Sequence, residues 1–174
     1  MNKNQINYSL SNFDIDKYLN KKSNIILYKD LKKYKSIDDA LGHDGYFILL
    51  YETRERYGHW TIIIKLDDNT IEHFDSYGLK PDDELNYIKP LFKIINNIIP
   101  YLSWLFINSK YKIEYNNYQL QSMQKGINTC GRHILMRLKY RKYNIDQYKK
   151  FLDRLLKKYN IDNYDLLVTK LIKL

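Results

Sequence analysis

Residues 46–75 crowd three strand-like runs into one short stretch, and that crowding limits the folds open to the chain. Tyr46-Phe47-Ile48-Leu49-Leu50-Tyr51 is an apolar run bounded by Gly45 and by charged residues. Trp60-Thr61-Ile62-Ile63-Ile64-Lys65-Leu66 is β-branched, Asp67-Asp68-Asn69 supplies a turn, and Thr70 to Asp75 reads as a third run. Short β-branched and aromatic segments at this spacing predict an antiparallel meander. On either side of it the apolar period lengthens to that of helices. Residues 13–19 and 29–40 read as helical before it. After it, Pro81-Asp82-Asp83-Glu84 opens a helix whose apolar face is Leu85, Ile88, Phe92 and Ile95, with Pro90 shortening or kinking it. An apolar stretch at 101–107 precedes a strand-like segment at 111–121. Helical spacing returns with Ile134, Leu135, Leu138 and Tyr140 and continues through 148–159 and 164–174. A sheet in mid-chain with helices on both sides is the pattern of an α+β fold.

The chain has 174 residues, 44% of them hydrophobic, which suits one domain spanning 1–174 with a polar, loose arm over residues 1–12. Its single cysteine excludes an internal disulfide and a cysteine-rich zinc site. His43, His59, His73 and His133 fall into no metal-ligand spacing, so no metal is expected. No apolar run reaches the ~18 to 20 residues of a membrane span, and the start Met1-Asn2-Lys3-Asn4-Gln5 is not a secretory signal, which points to a soluble protein inside a cell, not secreted. The net charge of +9 favours contact with nucleic acid or acidic partners. Lys, Asn, Ile and Tyr share A/T-rich codons, however, and codon usage accounts for the lysines equally well.

The one cysteine, Cys130, stands in Asn128-Thr129-Cys130-Gly131-Arg132-His133, where a polar loop runs into an amphipathic helix. A thiol there faces unpaired N-terminal amides, and a helix N-terminus or a neighbouring histidinium favours the thiolate. Gly131 lets a substrate approach the backbone, and the Cys130 amide suits an oxyanion donor. The plainer reading of a lone cysteine is a small buried hydrophobe. His59, between Gly58 and Trp60 at the mouth of the second run, is placed to take the thiol proton and return it to a leaving amine. Asp75 ends the next, antiparallel run, where its carboxylate can hold the imidazole in one tautomer. Glu72 and His73 are rivals, because His73 and Asp75 share a strand face and alternation does not choose the base. Gln119, Gln121 and Gln124 all precede Cys130, and spacing leaves both Gln121 and Gln124 open as a side-chain oxyanion donor.

Taken together, Gly58-His59-Trp60, Phe74-Asp75-Ser76-Tyr77-Gly78, a glutamine and Asn128-Thr129-Cys130-Gly131-Arg132-His133 resemble the adenovirus-type and SUMO-protease-type (adenain-like, Ulp-like) cysteine peptidases. Within that group the likeness is to the maturation proteases of virophages, polinton-like elements and large DNA viruses, and it spans roughly residues 45–139. The resemblance implies a papain-like core in permuted order, with the catalytic helix packed against a mixed sheet. It implies His59 as base, Asp75 as its orienting acid, Cys130 as nucleophile and Trp60 as a wall of the substrate cleft beside Gly131. For the oxyanion glutamine, the family's usual spacing points to Gln124, whereas the strand-ending Leu120-Gln121-Ser122 resembles viral relatives and points to Gln121, which is preferred.

The activity so implied is cleavage of capsid, scaffold or core precursors after glycine or other small residues, in the virion and in the viral factory of the host-cell cytoplasm. No cofactor is required. The adenovirus enzyme is stimulated by DNA and a peptide; the basic surface here suits DNA, but no thiol besides Cys130 is available for a disulfide to a peptide. Two alternatives stand beside this reading. One is a deconjugating protease for ubiquitin-like proteins. The other is a non-catalytic basic nucleic-acid-binding module, which no helix-turn-helix, zinc-finger or RNA-binding signature supports.

Overall fold

The computed structural model describes residues 3–173. One mixed sheet of five strands runs in the order β1 (Ile25–Leu27), β2 (Tyr46–Arg54), β3 (Tyr57–Lys65), β4 (Thr70–Asp75), β5 (Lys112–Tyr115). Strands β2, β3 and β4 form the antiparallel meander expected from their β-branched runs. The edge strands are each parallel to their neighbour, β1 to β2 and β5 to β4. Helices flank the sheet: α1 (Lys3–Ile6), α2 (Asn12–Leu19), α3 (Ile37–Leu41), α4 (Pro90–Ile95), α5 (Tyr101–Ile107), α6 (Cys130–Lys139), α7 (Ile145–Tyr159) and α8 (Tyr164–Leu171), with 3-10 turns at Tyr28–Lys33 and Asp83–Tyr87. This is the α+β arrangement expected.

Strand alternation divides the apolar residues between two cores. Tyr46, Ile48, Leu50, Trp60, Ile62, Ile64 and Phe74 face α6, α7 and α8. Phe47, Leu49, Tyr51, Ile63 and Ile71 face the 3-10 turns, α3 and α5. Because both faces of the sheet are covered, its central strands read as continuous apolar runs. Truncating a fully buried Ile or Leu of either core to Ala costs about 2–5 kcal/mol.

Helix α6 is fixed to the sheet by more than apolar contact. Arg137 donates to both carboxylate oxygens of Glu72 on β4, each at 2.6 Å, with both side chains fully buried. The same guanidinium donates to the carbonyls of Tyr140 (3.0 Å) and Tyr143 (2.7 Å) and lies over the Tyr148 ring. Every polar atom of the pair has a partner, which is the condition for a buried ion pair to hold one register rather than strain it. Removing one partner alone leaves an uncompensated charge, at a cost of about 3–5 kcal/mol.

Four expectations change. The helix anticipated from Pro81 splits into the turn Asp83–Tyr87 and the separate helix α4, since Pro90 biases Lys89 out of the helical region, to φ −56° and ψ 135°. Leu85 and Ile88 are buried, whereas α4 buries no residue and Ile95 is exposed. The stretch 29–40 is a 3-10 turn followed by the short α3, not one helix. The strand expected over 111–121 ends at Tyr115; the chain continues as a loop in which the amides of Leu120 and Gln121 both donate to the Ser76 carbonyl, at 2.8 and 2.9 Å. The N-terminal arm, of which residues 1 and 2 lie outside the described residues, is tied down: the Ile6 carbonyl accepts from the Asn128 amide at 2.9 Å, the Tyr8 carbonyl from Arg132 at 2.9 Å and the Leu10 carbonyl from the Trp60 indole at 2.9 Å.

Candidate active site

The start of β3 and the end of β4 lie at the same end of the sheet, since the two strands are antiparallel. Asp75 pairs with Thr61, two residues along β3 from His59, so the two side chains are diagonal neighbours on one face. The His59 Nε2 meets Asp75 Oδ1 at 2.9 Å. The presentation of His59 depends on Gly58: a Cβ there would lie 1.9 Å from the Tyr51 carbonyl oxygen, so no other residue lets β3 lie this close to β2. Asp75 is itself held on three sides. Its Oδ1 accepts from the Tyr77 amide at 2.7 Å, its own amide donates to Asn116 Oδ1 at 2.9 Å, and its carbonyl accepts from Asn116 Nδ2 at 2.6 Å. The Tyr77 ring stacks on the imidazole, centroids 4.4 Å apart and planes 13° from parallel.

Cys130 opens α6 and lines the same cleft as His59. It is a free thiol, 5% exposed. Thr129 occupies the N-cap position, where a hydroxyl ordinarily accepts from a first-turn amide. Here it makes no cap and donates instead to Asp165 on α8. The first amides of α6 are therefore left for a ligand. Asp165 also accepts from the Ser122 amide at 3.0 Å and lies 3.2 Å from His133 Nε2. One carboxylate on α8 thus fixes both the residue before Cys130 and the residue after Gln121.

Gln121 is buried in the cleft wall. Its Oε1 accepts from the Ser76 hydroxyl at 2.7 Å, and its Nε2 donates to the Tyr77 hydroxyl at 3.3 Å and the Ile127 carbonyl at 3.2 Å. Gln124 and Gln119 are exposed, and neither lines the cleft. The cleft holds about 320 Å³, and Tyr57, Tyr77, Tyr87 and Met123 narrow it. Neither Trp60 nor Gly131 lines it, contrary to expectation. Trp60 forms part of an adjoining groove, and the side of Gly131 where a Cβ would stand is filled by Leu10, 2.8 Å away.

The electrostatics favour a charged imidazole. Burial opposes protonation of His59, but the charge and hydrogen bond of Asp75, a hydrogen bond with Cys130 and the charge of Glu84 together hold its pKa well above the ordinary value. Burial likewise opposes ionisation of Asp75, and His59 outweighs it, so the Asp75 carboxyl titrates below its usual range. His73 behaves oppositely: it is fully buried, neither ring nitrogen has a partner, and burial pushes it down to about 4. Glu84, from the turn after β4, was not singled out by sequence. It lines the cleft with Oε1 3.6 Å from His59 Nε2, and burial followed by the neighbouring Asp75 carries its pKa up to about 7. Donor atoms of His59, Asp75 and Glu84 lie within 4.8 Å of one another. Among the described residues no helix is long and apolar enough to cross a membrane.

Three comparisons bear on this arrangement. An uncharacterized protein, V9, of Sputnik virophage is 43% identical over 146 residues, covering 83% of this chain and 83% of that protein. The crystal structure of the ASFV pS273R protease shares the fold, with a TM-score of 0.50 at 17% identity over 97% of this chain and 69% of that one. The C-terminal catalytic domain of the Ulp1 protease family matches residues 47–171, from the core of β2 through Cys130 to the end of α8. The chain belongs to the Ulp1 protease family, whose domain is that of a cysteine protease.

Proposed function

We propose that the protein is a cysteine endopeptidase that matures virion proteins, with Cys130 as nucleophile, His59 as base, Asp75 as the acid that orients it and Gln121 as oxyanion donor. The observation that carries this reading is the 2.9 Å contact of His59 with Asp75 at the mouth of the cleft that Cys130 shares. His59 takes the thiol proton, and the sulfur attacks the scissile carbonyl carbon. Negative charge then gathers on the carbonyl oxygen, where it is met by the uncapped Cys130 amide and by Gln121 Nε2, which exchanges its long bond to the Tyr77 hydroxyl for one to the substrate. The imidazolium gives its proton to the leaving amine, and the C–N bond breaks. Water, losing a proton to His59, attacks the thioester; the acid product leaves and the thiol is restored. The papain-like core in permuted order is the frame that brings a strand-end histidine to a helix-start cysteine.

The tyrosine-lined cleft favours glycine or another small residue at the acyl position. Kinship with a virophage protein and the fold of a viral protease favour capsid or core precursors as substrates. On this reading the enzyme works where virions assemble, in the cytoplasmic factory and in the particle. The charge of +9 is suited to DNA held there, as a stimulant rather than a requirement. The test is incubation with capsid precursors and mass spectrometry of the new termini, beside ubiquitin-like proteins ending in Gly-Gly. Cleavage after small residues by the native protein and none by Cys130→Ala is the expected result. Undiminished cleavage by Cys130→Ala ends the reading, and turnover of the ubiquitin-like proteins alone replaces it with a deconjugase.

A further inference from the structure

Glu84 is 5% exposed, and its Oε1 has no hydrogen-bond partner; Asp75 is fully buried, and its Oδ2 has none either. The two carboxyl groups flank one nitrogen: His59 Nε2 lies 2.9 Å from Asp75 and 3.6 Å from Glu84. Groups around the Glu84 carboxyl are His59 and Tyr57 on β3, Asp75 at the end of β4, Tyr77 beyond it, Cys130 at the head of α6, and Asp83 and Tyr87 on its own turn. On β2 lie Tyr51 and Glu52, the latter already paired with Lys29 at 3.0 Å. Apart from the imidazolium, no cation among them reaches the site. One buried positive charge balances one carboxylate, and a second carboxylate beside the first keeps its proton. A proton on Glu84 directed at Asp75 Oδ2 is the arrangement that satisfies both orphaned oxygens, and carboxyl oxygens of the two residues lie within 4.8 Å of each other.

We propose that Glu84 is a positioning residue for the His59–Asp75 pair, carrying a proton that it donates to Asp75, and that loss of this proton slows the acylation step. The proposal rests on the protease reading above. With Glu84 neutral, Asp75 is anchored by the Tyr77 amide, by His59 and by the Glu84 hydroxyl, which leaves its charge directed at the imidazole. When Glu84 ionises, a second negative charge stands by Nε2. The imidazolium then holds its proton more tightly and becomes a poorer acid toward the leaving amine, while the two carboxylates repel. The elevated pKa of Glu84, near 7, puts that change inside the working range.

Two measurements test the idea. In the pH profile of kcat, the native enzyme should lose activity as pH rises through about 7, by several-fold, whereas Glu84→Gln, which keeps a donor at every pH, should lack that limb. Glu84→Leu, with no donor, should lower kcat about tenfold on the acidic side with KM changed less. Retention of the limb in Glu84→Gln overturns the proposal. Independently of any turnover, difference infrared spectra of Cys130→Ala should show a carboxylic-acid carbonyl band that titrates away near neutrality and is missing from Cys130→Ala/Glu84→Gln. Absence of the band from Cys130→Ala also overturns it. Presence of the band with no proteolysis refutes the protease reading and leaves the proton on Glu84.

Discussion

His59 and His73 occupy neighbouring strands, point to the same face of the sheet and are both buried, yet their electrostatics run in opposite directions. Burial is the largest influence on each and disfavours the charged ring in both. At His59 it is outweighed, because the ring stands at the open end of β3, bonded to Asp75 and facing Cys130. His73 lies two residues inward on β4, where it pairs with Ile63 and neither nitrogen finds a partner. Asp75 has one imidazole to bond and bonds the one at the strand end. Position along a strand, more than residue type, decides which histidine finds a carboxylate partner.

The sharpest way to break the comparison is to exchange the losses. On the proposed triad, His59→Ala and Cys130→Ala should each lower kcat/KM by about 10³-fold or more, with Asp75→Asn close behind. A His73 variant as damaging as His59→Ala, measured on the same peptide, would erase the distinction. One step down, Gln121→Ala should cost about 10²-fold in kcat, as removal of one oxyanion donor does elsewhere, and Gln124→Ala should leave it alone. The reverse order would move the oxyanion site to the exposed loop. Smaller again, Asp165→Ala should destabilise the fold by about 1–3 kcal/mol in urea melts, because the Ser122 amide, the Thr129 hydroxyl and His133 lose their acceptor. It should also reduce kcat, because Thr129 and Ser122, which adjoin Cys130 and Gln121, lose the carboxylate that holds them in place.

Much of this geometry is written in local pattern. The β-branched runs from Tyr46 to Asp75 specify the meander, and a meander alone brings a residue at the start of β3 beside one at the end of β4. The polar loop running into an apolar period marks Cys130 as a helix start. Other features depend on distant packing and leave no local trace. Ile25–Leu27 is too short to show a period, yet it pairs along β2. Glu84 is the last of three acids after Pro81, equivalent to Asp82 and Asp83 as helix-opening residues until tertiary packing buries it at His59. Asp165 reads as an ordinary first-turn acid of α8, although its carboxylate turns inward to Thr129 and Ser122. Gln121 and Gln124 are separable only after the Ser76 carbonyl has captured the amides of Leu120 and Gln121. Arg137 falls within the apolar spacing of α6, and only the Glu72 carboxylate across the sheet explains its burial.

The smallest effect on catalysis should come from His73→Leu, and it sharpens the contrast through stability instead. In the unfolded chain a histidine binds its proton near pH ~6.5. Folded His73 does so only at about 4, so as pH falls through that window the unfolded state gains a proton that the native state refuses. The wild type therefore loses stability from this residue between those two values, by roughly 3 kcal/mol at most, and nothing further below them. Glu84 runs the other way: its folded carboxyl, raised to about 7, takes up a proton before the unfolded one and stabilises the fold as pH falls toward ~4.5. The two nearly cancel in the native protein's own profile, so the informative quantity is the difference between His73→Leu and wild type. That difference should grow in favour of the variant by up to about 3 kcal/mol from pH ~6.5 to ~4, while kcat/KM at neutral pH changes by less than about threefold. A flat difference would show that His73 titrates as it does in the unfolded chain, and the contrast with His59 would then rest on geometry alone.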